Sequence, residues 1–203
     1  MPTILHMQAN AGTYPVRLDL DAPLEIARWR PLVNWLLAIP QFIVLYALSA
    51  VLGILQFVAF FTVLFTKEIP RGMFDFMAMI LRYEWRVATF YLFMRESYPP
   101  FDFTGASEDP GGDPATLSVD YPQELRRFMP LVKWLLAIPH YVVLFFLFIG
   151  AYVVAFIAVF AVLITGRWPE SMRRYVIGVV RWGTRVSAYV YFMRDEYPPF
   201  ALD

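Results

Sequence analysis

The sequence predicts an all-α integral membrane protein built from two tandem α-hairpin repeats. Three observations lead to this fold class. Hydrophobic residues make up 59% of the 203 residues, long stretches carry no charge, and the second half of the chain repeats the first. Only 17% of the residues are charged, against about 25% in soluble domains, and the mean hydropathy is +0.52. A soluble fold of this size would leave large apolar patches in water, whereas a bilayer accommodates them.

The repeat is visible without any gap in the alignment. Residues 15–101 align with residues 114–200 at a shift of 99 positions, with 36 identities in 87 positions. We infer that the gene was duplicated and fused. The chain then divides into an N-terminal tail (1–13), a first unit (14–101), a polar linker (102–113) and a second unit (114–203).

The composition excludes several classes of function. Lys and Arg together number 17, as do Asp and Glu, so the chain lacks the basic excess that nucleic-acid binding requires. There is no cysteine, and the two histidines, His6 and His140, are too few for a recognisable metal site. Serine-hydrolase, zinc-protease, P-loop and dinucleotide-binding motifs are absent. We therefore expect no catalytic residues, no metal, no cofactor and no nucleic-acid partner.

Each unit begins with a polar segment. Residues 14–21 alternate apolar and polar side chains and predict a short extended segment. Pro23 and Glu25 follow, a pattern typical of a helix N-terminus, and Glu25 is placed to pair with Arg28. Asp120, Pro122, Glu124 and Arg127 repeat the design in the second unit. The carboxylate pairs could act as acid and base, but capping and ion pairing explain them better.

A nearly identical stretch follows in both units: PLVNWLLAIPQ at 31–41 and PLVKWLLAIPH at 130–140. Pro40 and Pro139 predict a kink or a helix restart, because proline removes a backbone donor. Residues 31–39 are thus expected to form an interfacial pre-helix, and 40–65 a membrane crossing. Trp35 and Trp134 are predicted to anchor these joints at the headgroup level.

A second helix is predicted in each unit, at 73–94 and 172–193, and it is long enough for another crossing. Spanning helices would give four crossings, with the termini on the cytoplasmic side by the positive-inside rule. The alternative is that these helices lie in the membrane interface. The Y-P-P-F segments that end the units predict interfacial anchors at Tyr98 and Tyr197.

Arginines occur near the middle of these second helices. Arg82 and Arg86 are four residues apart, as are Arg181 and Arg185, so each pair shares one helix face. An ionisable residue at membrane depth suggests a functional site, so we predict that the four arginines bind a lipid phosphate or another anion. The alternative is that they pair within the chain, with Asp75, Glu84 or backbone carbonyl groups.

Several motifs resemble one family of bacterial membrane proteins. They are the two W-L-L-A-I-P stretches, T-G-R-W-P at 165–169, R-W-G-T-R-V at 181–186 and the Y-P-P-F ends. The chain is similar to the family classed as domain of unknown function 4389, in two tandem copies. The first unit departs from the family pattern, with Gln41, Lys67 and Tyr83 in place of His, Gly and Trp. The resemblance implies a multi-pass protein of the bacterial inner membrane and supplies no activity.

Two functions remain open from the sequence. We expect a non-catalytic accessory or scaffold subunit that binds membrane lipids or partner transmembrane helices, in a larger membrane complex or a homo-oligomer. The alternative is a small transporter or channel-like protein, in which the four arginines line an anion path between the two repeats. Duplicated units are common in transporters.

Overall fold

The structure is a computed structural model that describes residues 14–203. The predicted N-terminal tail, 1–13, and its His6 lie outside the described residues. The described chain forms five helices and two strands, in the order β1 (Val16–Leu20), α1 (Arg30–Leu37), α2 (Ile39–Thr66), α3 (Arg71–Tyr91), β2 (Ala115–Val119), α4 (Met129–Thr165) and α5 (Glu170–Val190). The fold is thus mostly helical, as predicted, with a small sheet in addition.

The sheet relates the two units by an approximate two-fold axis. β1 and β2 pair antiparallel, with Leu18 opposite Leu117 and Val16 opposite Val119. Leu18 and Leu117 occupy the same position in their units, so the register is centred on an equivalent pair. Each strand alternates buried and more exposed residues, which explains the alternating pattern of the sequence. The extended segment predicted at 14–21 is therefore confirmed.

Each helical hairpin is completed by the strand of the other unit. We call α2 with α3 the first hairpin, and α4 with α5 the second. α3 packs on β2, while α5 packs on β1. The Ile26 N–H donates to the Gly166 carbonyl at 2.8 Å, and the equivalent Leu125 N–H donates to the Lys67 carbonyl at 3.0 Å. The units have therefore exchanged their N-terminal segments.

α2 and α4 are the two helices, within residues 14–203, that are long and apolar enough to cross a membrane. Their most apolar windows have mean hydropathies of 2.3 and 2.9, and only 11% and 17% of those windows are buried in the protein. A helix that is apolar on all sides is typical of a membrane environment. These two helices indicate membrane association.

The prediction of four crossings is not supported. α3 and α5 lack the required apolar window, and α3 is enclosed by protein, with 13 of its 21 residues buried. α2 covers one face of α3, while β2 and the linker cover another. Because the arginines of α3 meet the polar linker, this helix does not need to face lipid.

Two local predictions also differ from the structure. The helix expected to begin near Pro23 begins instead at Arg30, and Glu25 forms an isolated β-bridge with Arg167 of the second unit. Its carboxylate faces Arg167 at 3.8 Å, so the pairing predicted with Arg28 is replaced by one between the units. The reason is that segment 22–28 is held by the opposite hairpin loop, which competes with local helix formation.

The proline joints differ between the units. In the first unit the chain breaks at Ala38, and α2 starts with Pro40 in its first turn, as predicted for a restart. In the second unit α4 runs from Met129 to Thr165 as one helix that contains Pro139. Thus Pro139 lies inside a continuous helix rather than between two helices.

Candidate functional site

The arginines of α3 and α5 face the strands of the opposite units. The Arg82 Nε donates to the Leu117 carbonyl at 3.1 Å, and the equivalent Arg181 Nε donates to the Leu18 carbonyl at 3.3 Å. The four-residue spacing places Arg86 and Arg185 one turn further along the same faces. In each unit the two arginines therefore lie on one helix face, as predicted, but the surroundings of the two pairs differ.

Carboxylates of the linker surround the arginines of the first unit. Asp109 bridges the pair, with its oxygens 3.3 Å from Arg82 Nε and 3.2 Å from Arg86 Nη2. Asp102 lies 2.9 Å from Arg86 Nη1, and Asp113 pairs with Arg95, which follows α3. The side chains of both Arg82 and Arg86 are almost fully buried, so these charges are balanced inside the protein.

The acid–base properties of this cluster follow from its contacts. The Thr104 hydroxyl and backbone N–H, followed by Arg86, donate to Asp102 and hold its pKa at about 2. Burial lowers the pKa of Arg82, while the neighbouring Asp109 opposes that change. A carboxylate with a depressed pKa stays charged throughout the physiological range, so the cluster keeps its ion pairs at neutral pH.

The Arg181–Arg185 pair of the second unit has no carboxylate partner within residues 14–203. Arg181 donates to the backbone carbonyls of Leu18 and Leu202. Arg185 lies over the ring of Tyr14, 5.6 Å from its centroid, and its buried Nε has no hydrogen-bond partner in the described chain. Gly178 allows this arrangement, because a Cβ there would come within 2.6 Å of the Leu202 carbonyl.

Of the partners that the sequence suggested for the arginines, backbone carbonyls do accept hydrogen bonds from Arg82 and Arg181, whereas the two carboxylates pair with neither. Asp75 pairs with Arg71 at the exposed start of α3. Burial raises the pKa of Glu84 to about 7, and Glu84 forms no ion pair within the described residues. Sequence reasoning missed Asp102, Asp109 and Asp113, which it assigned to a polar surface linker. The available signal was three aspartates in a short segment directly after an arginine-bearing helix.

The residues after the joint prolines form a second pair of equivalent sites. Gln41 is buried, donates to the Pro99 carbonyl at 2.9 Å and accepts a hydrogen bond from the Tyr83 hydroxyl. In the second unit His140 is buried and its Nδ1 accepts from the Trp182 Nε1 at 3.1 Å. Tyr83 and Trp182 are equivalent positions, so the exchange of Gln for His is matched by an exchange of Tyr for Trp.

The predicted anchors occupy two kinds of position. Trp35 and Trp134 are 57% and 62% exposed, as an interfacial anchor requires. Tyr197 and Phe200 instead close over the buried His140, with ring centroids 4.7 and 4.1 Å away. The equivalent Tyr98 packs edge-on against Phe90. The Y-P-P-F segments therefore cover the joints, and the interfacial role of their tyrosines stays a prediction.

The acidic residues near each unit's start line two equivalent open clefts. The first, of about 540 Å³, includes Asp21, Glu25 and Arg95, and the second, of about 500 Å³, includes Asp120, Glu124 and Arg194. Within residues 14–203 no group of three His, Asp or Glu side chains could hold a metal ion. Each cleft contains an arginine beside its carboxylates, an arrangement that favours ion pairing over metal binding.

The protein is thus duplicated and mostly helical, with two strongly apolar helices and two arginine pairs. The family model described as "Domain of unknown function (DUF4389)" matches the chain twice, at residues 28–102 and 130–201. The chain belongs to this family in two tandem copies, which confirms the resemblance seen in the sequence. No curated protein and no solved structure matches the chain.

Proposed function

We propose that this protein is a non-catalytic, lipid-embedded accessory or scaffold subunit in a larger membrane complex or a homo-oligomer. The observation that carries this proposal is the outer surface of α2 and α4, which exposes large apolar side chains along most of both helices. They include Ile54, Phe57, Phe61, Phe146, Tyr152 and Phe156. Exposed apolar side chains along two long helices are unusual in a soluble monomer. Lipid acyl chains are the occupant that suits this surface.

The proposed placement leaves the polar half of the protein outside the hydrocarbon. α2 and α4 lie in the acyl chains, whereas the sheet, the linker and the arginine rows of α3 and α5 lie at the headgroups or in water. This placement is supported by the linker that covers α3, since its exposed Glu108 and partly exposed Asp102 would be costly in lipid. Exposed Trp35 and Trp134 fit the boundary between the two zones.

An arginine-lined anion path between the repeats has less support. Such a path requires the arginines of both units to meet a moving anion. Arg82 and Arg86 are instead neutralised by Asp102 and Asp109, and both are nearly inaccessible.

The experiment uses the absence of cysteine, which makes single-site labelling straightforward. Nitroxide labels are placed at Phe57→Cys on α2 and Phe146→Cys on α4, with exposed Arg17→Cys on β1 as the control. In reconstituted bilayers, the labels at positions 57 and 146 should be more accessible to molecular oxygen than to a water-soluble nickel complex. The label at position 17 should be more accessible to the nickel complex. Equal nickel accessibility at all three sites would refute the lipid placement, and immobilised labels on α2 would indicate a partner helix instead.

A further inference from the structure

The duplication makes it possible to compare two copies of one arginine pair. In the first unit a single carboxylate, Asp109, contacts both Arg82 and Arg86 at 3.2–3.3 Å. The pair thus forms a site of suitable width for one two-oxygen anion. Guanidinium groups bind carboxylate and phosphate in the same forked geometry, so Asp109 indicates where an oxyanion would lie.

The equivalent position in the second unit lacks such an anion. No ion pair involves Arg181 or Arg185 within residues 14–203. At the shift of 99 residues, Asp109 aligns with Asn10 and Asp113 with Tyr14, and residues 1–13 contain no Asp or Glu. Asp203 acts on Arg185 only at longer range. The positions equivalent to Asp109 and Asp113 therefore carry no carboxylate beside the second pair.

The Arg185 side chain also has the burial and the unused hydrogen-bond donor that suit an anion-binding residue. It is half-buried, its Nε is buried without a hydrogen-bond partner in the described chain, and its guanidinium is held over the Tyr14 ring. Burial and the nearby Arg181 both lower the pKa of Arg185, while Asp203 and Tyr14 oppose that change, so burial of the charged guanidinium carries a cost. An incoming anion would relieve that cost.

We propose that Arg181 and Arg185 form a phosphate-binding site that takes, in the second unit, the place of Asp109 in the first. The ligand is a phosphate group, either of a lipid headgroup or free in solution. The lipid source rests on the proposed function, because it requires the arginine rows to lie near the headgroups. Binding of phosphate from solution does not depend on the proposed function.

The test compares Arg185→Gln with the control Arg174→Gln. Arg185 is the better target because Arg181 also holds the Leu18 carbonyl, whereas the Arg185 side chain makes no hydrogen bond within the described residues. Arg174 lies on the same helix and is exposed and paired with Glu170, so its loss removes the same charge without touching the site. Both purified full-length variants are titrated with inorganic phosphate and with phosphatidylglycerol in neutral-detergent micelles.

We expect Arg185→Gln to weaken binding by about tenfold or more, and Arg174→Gln to leave it within about twofold. Arg185→Lys keeps the charge and should retain part of the affinity, which separates ligand binding from a folding defect. Loss with the lipid alone assigns a headgroup ligand. Loss with inorganic phosphate alone assigns a soluble ligand, and it supports the site even if the lipid placement fails. Binding that is absent in the unaltered protein, or equal in both Gln variants, overturns the proposal.

Discussion

The two units place the same pair of arginines against the same kind of strand, yet balance the charges differently. Arg82 and Arg86 are enclosed by Asp102 and Asp109, while Arg181 and Arg185 meet backbone carbonyls and an aromatic ring. The first arrangement is complete within the chain. The second leaves the Arg185 Nε without a hydrogen-bond partner among residues 14–203. The first copy is thus a structural ion-pair cluster, whereas the second holds its arginines without a carboxylate partner in the described residues.

Removing the central carboxylate of the first unit should have the largest effect on stability. Asp109→Asn leaves the buried Arg82 and Arg86 without their shared counterion, and breaking a buried ion pair in this way costs about 3–5 kcal/mol. The free energy of unfolding in detergent, from a denaturant titration, measures the loss. The control is Asp120→Asn, whose partner Arg17 is exposed, and which should cost less than about 1 kcal/mol. Equal losses would mean that the cluster has no special role in the first unit.

Glu84 gives the first unit a pH dependence that the second lacks, because Gly183 is its equivalent. Burial raises the pKa of Glu84 to about 7, above the ordinary value of 4.5. Between these pH values the folded state holds more protons than the unfolded state, so stability should fall as pH rises from 4.5 to 7. The contribution of Glu84 should be constant outside this window, and its whole change amounts to about 3 kcal/mol.

Glu84→Gln should remove this dependence, because an amide does not titrate. Unfolding free energies of both proteins at pH 4, 5.5, 7 and 8 provide the measurement. A slope that persists unchanged in Glu84→Gln would assign it to other groups.

The residue after each joint proline and its hydrogen-bond partner should be exchangeable, as a pair, between the two units. His140→Gln alone breaks the bond from Trp182 in the second unit, and we expect a cost of about 1–3 kcal/mol. Adding Trp182→Tyr restores the Gln–Tyr pair that the first unit uses, and the double variant should recover at least half of the loss. A double-mutant cycle on unfolding free energies measures this coupling. Additive losses would show that the two pairs are not equivalent.

Substitutions in the loops that join the helices of the two hairpins should have the smallest effect on stability. Both α2 and α4 end at a left-handed residue, Lys67 with φ 65° and Gly166 with φ 72°. Only glycine adopts this conformation without a steric cost, so Lys67→Gly should stabilise and Gly166→Ala destabilise the protein, each by about 1 kcal/mol. The midpoint of thermal unfolding reports both shifts. Shifts of the same sign would contradict the assignment.

The sequence was informative wherever a pattern was local or repeated. The gapless repeat predicted two equivalent units, and the apolar stretch predicted a membrane-crossing helix at 40–65, where the structure has the apolar helix Ile39–Thr66, a candidate span. Four-residue spacing correctly placed Arg82 with Arg86 on one face. These features follow from helical periodicity and composition, which neighbouring residues determine.

The contacts between distant segments were not predictable from local patterns. Asp109 lies in a Gly- and Pro-rich stretch that is typical of a solvated linker, yet its side chain is buried between arginines 23 and 27 residues earlier. The exchange of strands between units has no local signal either, since a strand pairs equally well with either hairpin by pattern alone. The prediction of four crossings lacks support for the same reason, because β2 and the linker cover α3.

The central feature of the fold is that each hairpin is completed by the other unit's strand. The most direct test is to co-express residues 1–113 and 114–203 as separate chains, each with its own affinity tag. We predict that the fragments co-purify in a one-to-one complex with the helical content of the intact protein, because α3 needs β2 and α5 needs β1. Two monomeric fragments that fold independently would contradict this account.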